Sequence, residues 1–174
     1  MAAANISLNT KLVQRKASIL RRWAGLVFET YPPDTAIVLK AGGDRFANPV
    51  CYAVIHNLEM ILDGLFTGKE METLFPYLRE ILKIRAVQDF TPSGAVSFMA
   101  LLKKAMNSET GPGAKSKQLK REMMEFEQEI DVLSAACSDI YLECRHKIGQ
   151  IKAGEQKKMA ANMAGLQERS GRGI

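Results

Sequence analysis

Two histidines and three cysteines are the side chains of this chain best able to ligate, transfer protons or change redox state. His56 follows Tyr52 by four residues and precedes Glu59 and Asp63 by three and seven, which puts all four on the polar flank of one helix. A buried imidazole on such a helix is the usual proximal ligand of haem. A haem or small-ligand pocket drawn around Trp23, Tyr52 and His56 is therefore one expectation. The competing expectation is that His56 is a partly exposed polar residue. His146 sits between Arg145 and Lys147, whose charges disfavour both its protonation and a bound cation. The pair Glu143–His146 has the spacing used in di-iron carboxylate sites, but that chemistry needs a second such pair, which the sequence lacks.

Cys137 and Cys144 lie two helical turns apart, roughly 10 Å along a helix axis and too far for a disulfide within one straight helix. Cys51 stands in a different segment. No Cys-x-x-Cys, His-Glu-x-x-His, phosphate loop, dinucleotide fingerprint or nucleophile elbow occurs. The reading is no catalytic residue, no metal site and no resident cofactor, with the thiols as small apolar packing groups.

The elements that must position these residues are all helical, and the clearest is at the far end. Leu119, Met123, Phe126, Ile130, Leu133, Cys137, Ile140 and Cys144 recur at steps of four and three. That spacing holds a narrow stripe on one face of a long helix, suited to packing on another helix. Two expectations stand side by side: a seam between two copies of the chain, or a strip of the chain's own core. If the stripe is a seam, replacing Phe126 and Leu133 by Glu gives a folded monomer.

Upstream, helix-start and helix-stop signals divide the chain. A first helix is predicted over Leu8–Tyr31, stopped by Pro32-Pro33, and a short one from Asp34 through Lys40, closed by Gly42-Gly43. Asn48-Pro49 opens a third, running to Phe66 with Cys51, Ile55, Leu58, Leu62 and Leu65 inward, and Gly68 closes it. A fourth is predicted over Lys69–Gln88, with Leu74, Leu78 and Leu82 inward and Pro76 in its first turn or at a kink. Thr91-Pro92 opens a fifth, ending near Asn107. The resulting division is a helical body over 1–107, a Gly/Pro linker over 108–114, the long helix over 115–153, and a frayed or disordered basic tail over 154–174.

Charge and hydropathy narrow the function classes. Residues 1–24 carry five basic and no acidic side chains, residues 25–144 twelve basic and 17 acidic, and residues 145–174 seven basic and two acidic. Two basic ends could gather on a nucleic acid, but no readable motif accompanies them, and the alternating placement fits solvated helix faces. The longest uncharged apolar runs, Phe46–Leu58 and Phe90–Leu102, are 13 residues each, short of the roughly 18 a membrane span needs. The start shows neither a signal peptide nor a myristoylation site, so the expected compartment is cytoplasmic, without membrane insertion.

Four stretches carry a family resemblance: Thr30-Tyr-Pro-Pro-Asp-Thr35, Asp44-Arg-Phe-Ala-Asn-Pro-Val50, Ile84-Arg-Ala-Val-Gln-Asp-Phe-Thr-Pro-Ser-Gly-Ala-Val96, and Asp139-Ile-Tyr-Leu-Glu-Cys-Arg145. Over roughly residues 11–151 the chain resembles the RsbRD-type N-terminal domain, named for co-antagonist proteins of the bacterial stressosome. The resemblance implies a globin-like, non-haem, all-α sensory or interaction module, here of about six helices with a long C-terminal helix, that tends to form homodimers. Such modules are usually joined to a STAS or histidine-kinase output domain. Only about twenty residues follow Ile151, too few for one, so the expected partner is a separate signalling or output protein. Standalone relatives of this kind point towards sulfite-reduction electron-transfer systems.

Overall fold

The computed structural model describes residues 8–42, 46–110 and 117–171. Among them there are seven α-helices and no strand: α1 (Leu8–Gln14), α2 (Lys16–Phe28), α3 (Pro33–Lys40), α4 (Pro49–Phe66), α5 (Phe75–Val87), α6 (Pro92–Thr110) and α7 (Lys117–Gly171). A 3₁₀ turn, Met71–Leu74, precedes α5. The all-α class and the long terminal helix are as expected, and the differences are local.

The predicted first helix is two. Arg15 leaves helical geometry at φ −104°, ψ 8°, and its guanidinium donates to the carbonyl of Glu109 near the end of α6. Ser18 Oγ donates to the Glu109 carboxylate at 2.6 Å from the next turn. A tertiary contact therefore sets the break, and no helix-breaking residue announces it. The predicted helix from Lys69 instead starts at Phe75, so Pro76 falls in the first turn, where its missing N–H costs nothing. Gly64 makes room for the preceding turn, since a Cβ there would lie 2.2 Å from Leu74 Cδ2.

The cap signals work as the residues suggest. Asn48 Oδ1 accepts the Cys51 backbone N–H at 3.1 Å, while its Nδ2 donates to Val38 O at 2.9 Å, tying the start of α4 to the end of α3. Thr91 Oγ1 accepts the Gly94 N–H at 3.2 Å to open α6. Gly42 (φ 73°) and Gly68 (φ 65°) end α3 and α4 in the left-handed region that favours glycine.

α6 runs to Thr110, past the expected end at 107, and residues 111–114 of the expected linker lie outside the described residues. The expected frayed tail is helical to Gly171, with 172–174 outside. Its Ala, Lys, Gln, Met and Glu are all good helix formers, and the interior glycines at 149 and 154 cost only about 1 kcal/mol each against them.

α5 and α6 both pack on α7, α4 packs in turn on α5, and α2 packs on α6. One continuous core results, including Trp23, Leu58, Ile61, Leu78, Phe98, Met99, Leu133 and Tyr141, all fully or almost fully buried. Each such side chain contributes about 1.5–3 kcal/mol of transfer free energy.

Candidate functional site

The α5–α6 corner is where the chain departs most from ordinary packing. α5 stops in a Schellman motif: the Phe90 N–H returns to Arg85 O at 3.2 Å and the Asp89 N–H to Ala86 O at 3.4 Å. Asp89, at the position that favours glycine, has φ 56°. Arg145 on α7 holds it there, with Nη1 2.5 Å from Asp89 Oδ1 and 3.0 Å from Ala86 O. That partner keeps the Asp89 carboxyl below its ordinary pKa. Tyr141, one turn earlier on α7, donates its hydroxyl to Phe90 O.

Under this corner lies Arg85, 0% exposed and without a carboxylate partner among the described residues. Its Nη1 donates to Gly94 O at 2.8 Å and Ala95 O at 3.4 Å, and its Nη2 to Thr30 Oγ1 at 2.9 Å. The rings of Phe90, Tyr31 and Phe98 surround the guanidinium carbon at 4.7, 5.2 and 5.4 Å. Burial lowers the guanidinium pKa and raises that of the Tyr31 phenol. Among the described residues, Arg85 Nε and Tyr31 Oη have no hydrogen-bond partner. A planar, forked cation is suited to this place: it reaches two helices and the end of a third while stacking on rings. The arrangement locks α2, α5 and α6 in register and presents a fixed surface to Tyr141 and Arg145 of α7. It positions helices.

Three of the four stretches that carry the family resemblance meet at this corner. Thr30 and Tyr31 come from the first, Arg85 through Ala95 from the third, and Tyr141 and Arg145 from the fourth. In the second, Asn48 caps α4 elsewhere, and Asp44 and Arg45 lie outside the described residues. The sequence reading missed Arg85. Its signal was present, since Arg85 stands seven residues after Leu78 and three after Leu82, on the stripe those leucines bury.

The anticipated stripe of α7 is placed as follows. Ile130, Leu133, Cys137, Ile140 and Cys144 are buried in the chain's own core, on the helix that α5 and α6 pack against. Over that stretch the expected seam between copies is an intramolecular strip. A four-three stripe has the same spacing whichever helix it meets, and here the short connections between helices bring α5 and α6 to it first. Met123 and Phe126 are half-buried, Phe126 against the ring of Phe66 at 5.6 Å. The side chain of Leu119 lies outside the described part of the structure. Burial raises the pKa of all three thiols, that of Cys137 to about 12, so they stand as neutral packing groups near pH 7.

Trp23, Tyr52 and His56 are not brought together. Trp23 is in the core, donating Nε1–H to Phe98 O at 2.6 Å and stacking on its ring. Tyr52 and His56 are exposed, stacked on each other at 6.0 Å over a surface hollow that Trp23 does not line. Spacing put the last two on one helix face, and α2 presents Trp23 to α6 instead. Among the described residues, no cluster of three or more His, Cys, Asp or Glu could hold a metal ion, and no helix is long and apolar enough to cross a membrane.

Fold and corner together define an all-α domain organised around a long terminal helix that a buried arginine corner holds in place. The chain belongs to the RsbT co-antagonist protein RsbRD N-terminal domain family, which it matches over residues 17–155. It is accordingly a stressosome-related signalling domain. No curated protein and no solved structure gives a match.

Proposed function

We propose that this chain is a non-enzymatic regulatory domain that transmits through α7, pairing with a second copy and engaging an output protein along the outer half of that helix. One observation carries the reading. α7 contributes to the core from Ile130 to Cys144, is half-buried at Ile148, and from Gly149 leaves the body as a continuous helix. Its remaining 23 residues would span about 34 Å at 1.5 Å per residue. Along it Ile151, Met159 and Met163 stand 61, 70 and 65% exposed, and unbranched methionines suit adaptable helix–helix contacts. A helix that is rigidly seated at one end and free at the other can carry a change in body packing to a bound partner. A separate output protein, a component of a sulfite-reduction electron-transfer system among the candidates, would be met on this segment.

The test is light scattering coupled to size exclusion on the chain and on a variant carrying Ile151→Glu, Met159→Glu and Met163→Glu. The expected result is a dimer that becomes a monomer with an unchanged circular-dichroism spectrum. A chain that is monomeric at every concentration, or a variant that keeps the dimer mass, overturns the association reading.

A further inference from the structure

On a part of the body to which α7 contributes no wall among the described residues, a cleft of about 640 Å³ opens between α2, α3 and α4, with the end of α1 at one side. Small-molecule sites have volumes of this order and are mostly apolar with a few polar groups. Ala24, Phe28, Leu39 and Cys51 form a buried apolar floor. The α2 wall runs from Lys16 to Phe28, about 18 Å along the helix axis, so the cleft is elongated.

Gly25 leaves the middle of its α2 wall bare. This glycine has ordinary helical geometry, and a Cβ there would meet nothing within 4 Å. It serves neither a turn nor a close approach, the usual reasons to accept the roughly 1 kcal/mol a mid-helix glycine costs. What it provides is room. The charges at the rim are unequal. Lys16 is engaged with Asp63 at 2.6 Å and Glu59 at 3.3 Å, and Lys40 with Glu29 at 3.1 Å. Arg21 is exposed and has no hydrogen-bond or ion-pair partner among the described residues. Arg21 is thus the lining cation that no carboxylate engages, while Lys16 is shared by two.

We propose that the cleft binds an elongated apolar molecule with a single anionic end, its chain on the Ala24–Phe28–Leu39 floor and its charge at Arg21. Such a ligand would sit on α2 directly behind Trp23, whose indole bonds α6 beside the Arg85 corner. The inference goes beyond the association reading and does not rest on it, because binding is read on the chain whatever its oligomeric state.

The experiment is calorimetric titration of the full chain with sodium decanoate below its micellar concentration. 1-Decanol and decyltrimethylammonium serve as neutral and cationic counterparts. Saturable binding of one decanoate per chain is expected, with the cationic amphiphile excluded. Gly25→Leu fills the cleft and should weaken decanoate by at least about tenfold, with a melting temperature equal to or above the parent's. Arg21→Gln should weaken decanoate about tenfold and leave decanol unchanged. If Gly25→Leu fails to fold, Ala17→Leu on the exposed lip makes the same test. Non-saturating uptake, equal binding of all three head groups, or full binding by the filled variant overturns the proposal.

Discussion

The two halves of α7 belong to one unbroken helix and have opposite fates. Between Ile130 and Cys144 every fourth or third residue is buried against α5 and α6, and the helix is pinned by Tyr141 and Arg145 to the Arg85 corner. From Gly149 to Met163 no side chain is buried, and the apolar residues face outward. The difference does not arise from helix propensity, which is high in both halves. It arises from what else is within reach: the inner half has two neighbours and a corner to grip, and the outer half has passed beyond them. Spacing alone makes a surface, and the neighbours decide whether that surface is core or contact.

The sharpest way to break this comparison is to place a charge in the inner half. Leu133→Glu buries a carboxylate at a fully enclosed position and should cost more than about 4 kcal/mol, leaving the chain largely unfolded by circular dichroism. A folded monomer with normal thermal stability would return the inner half to the role of a seam between copies.

Next in size is the corner that grips that half. Arg85→Ala removes the donor to Thr30 Oγ1 and one of the donors to Gly94 O, which keeps Ser97 Oγ, and opens a void among three rings, which should cost about 3 kcal/mol in urea unfolding. Arg85→Lys should recover less than half of this, because an ammonium lacks the fork that spans both acceptors. Full recovery by Lys would mean that charge alone matters there.

A smaller effect separates the pin from the grip. Asp89→Asn keeps the tolerance for positive φ and removes only the charge facing Arg145. Because the folded carboxyl pKa is depressed, its stabilisation is present above the unfolded value of about 4 and is lost as pH falls through the folded value. The parent should exceed the variant in melting temperature near pH 7, and the two should converge in acid below about pH 4. A gap that persists or widens in acid would assign the effect to backbone geometry.

The smallest effect belongs to the outer half. At dilutions where the chain is monomeric, Met159→Glu alone should change unfolding free energy by no more than about 0.5 kcal/mol, since its side chain lies 70% exposed with no core beneath it. A larger loss at that dilution would mean that the outer half folds back on the body.

Much of this molecule was legible before its structure. Asn48-Pro49 and Thr91-Pro92 announce two helix starts because a capping side chain followed by proline satisfies or removes the donors exposed there. Gly42 and Gly68 announce ends because they accept positive φ. These are local events, settled within a few residues, and so is the four-three stripe of α7. The motifs carrying the family resemblance were equally legible, and the match over residues 17–155 agrees with them.

What the residues did not reveal is everything that depends on a distant partner. Arg15 breaks a helix because Glu109 lies across from it, Trp23 turns from Tyr52 and His56 because α6 offers it a carbonyl, and Arg85 is tolerated in the core because Thr30, the first carbonyls of α6 and three rings converge on it. The amino-acid sequence by itself determined the helices, their ends and their apolar faces, since those follow from spacing and backbone geometry within each segment. The tertiary structure alone decided which face of α7 is spent inside the chain and where a cleft stays open. Burial is a property of pairs of helices, and no single helix encodes its neighbour.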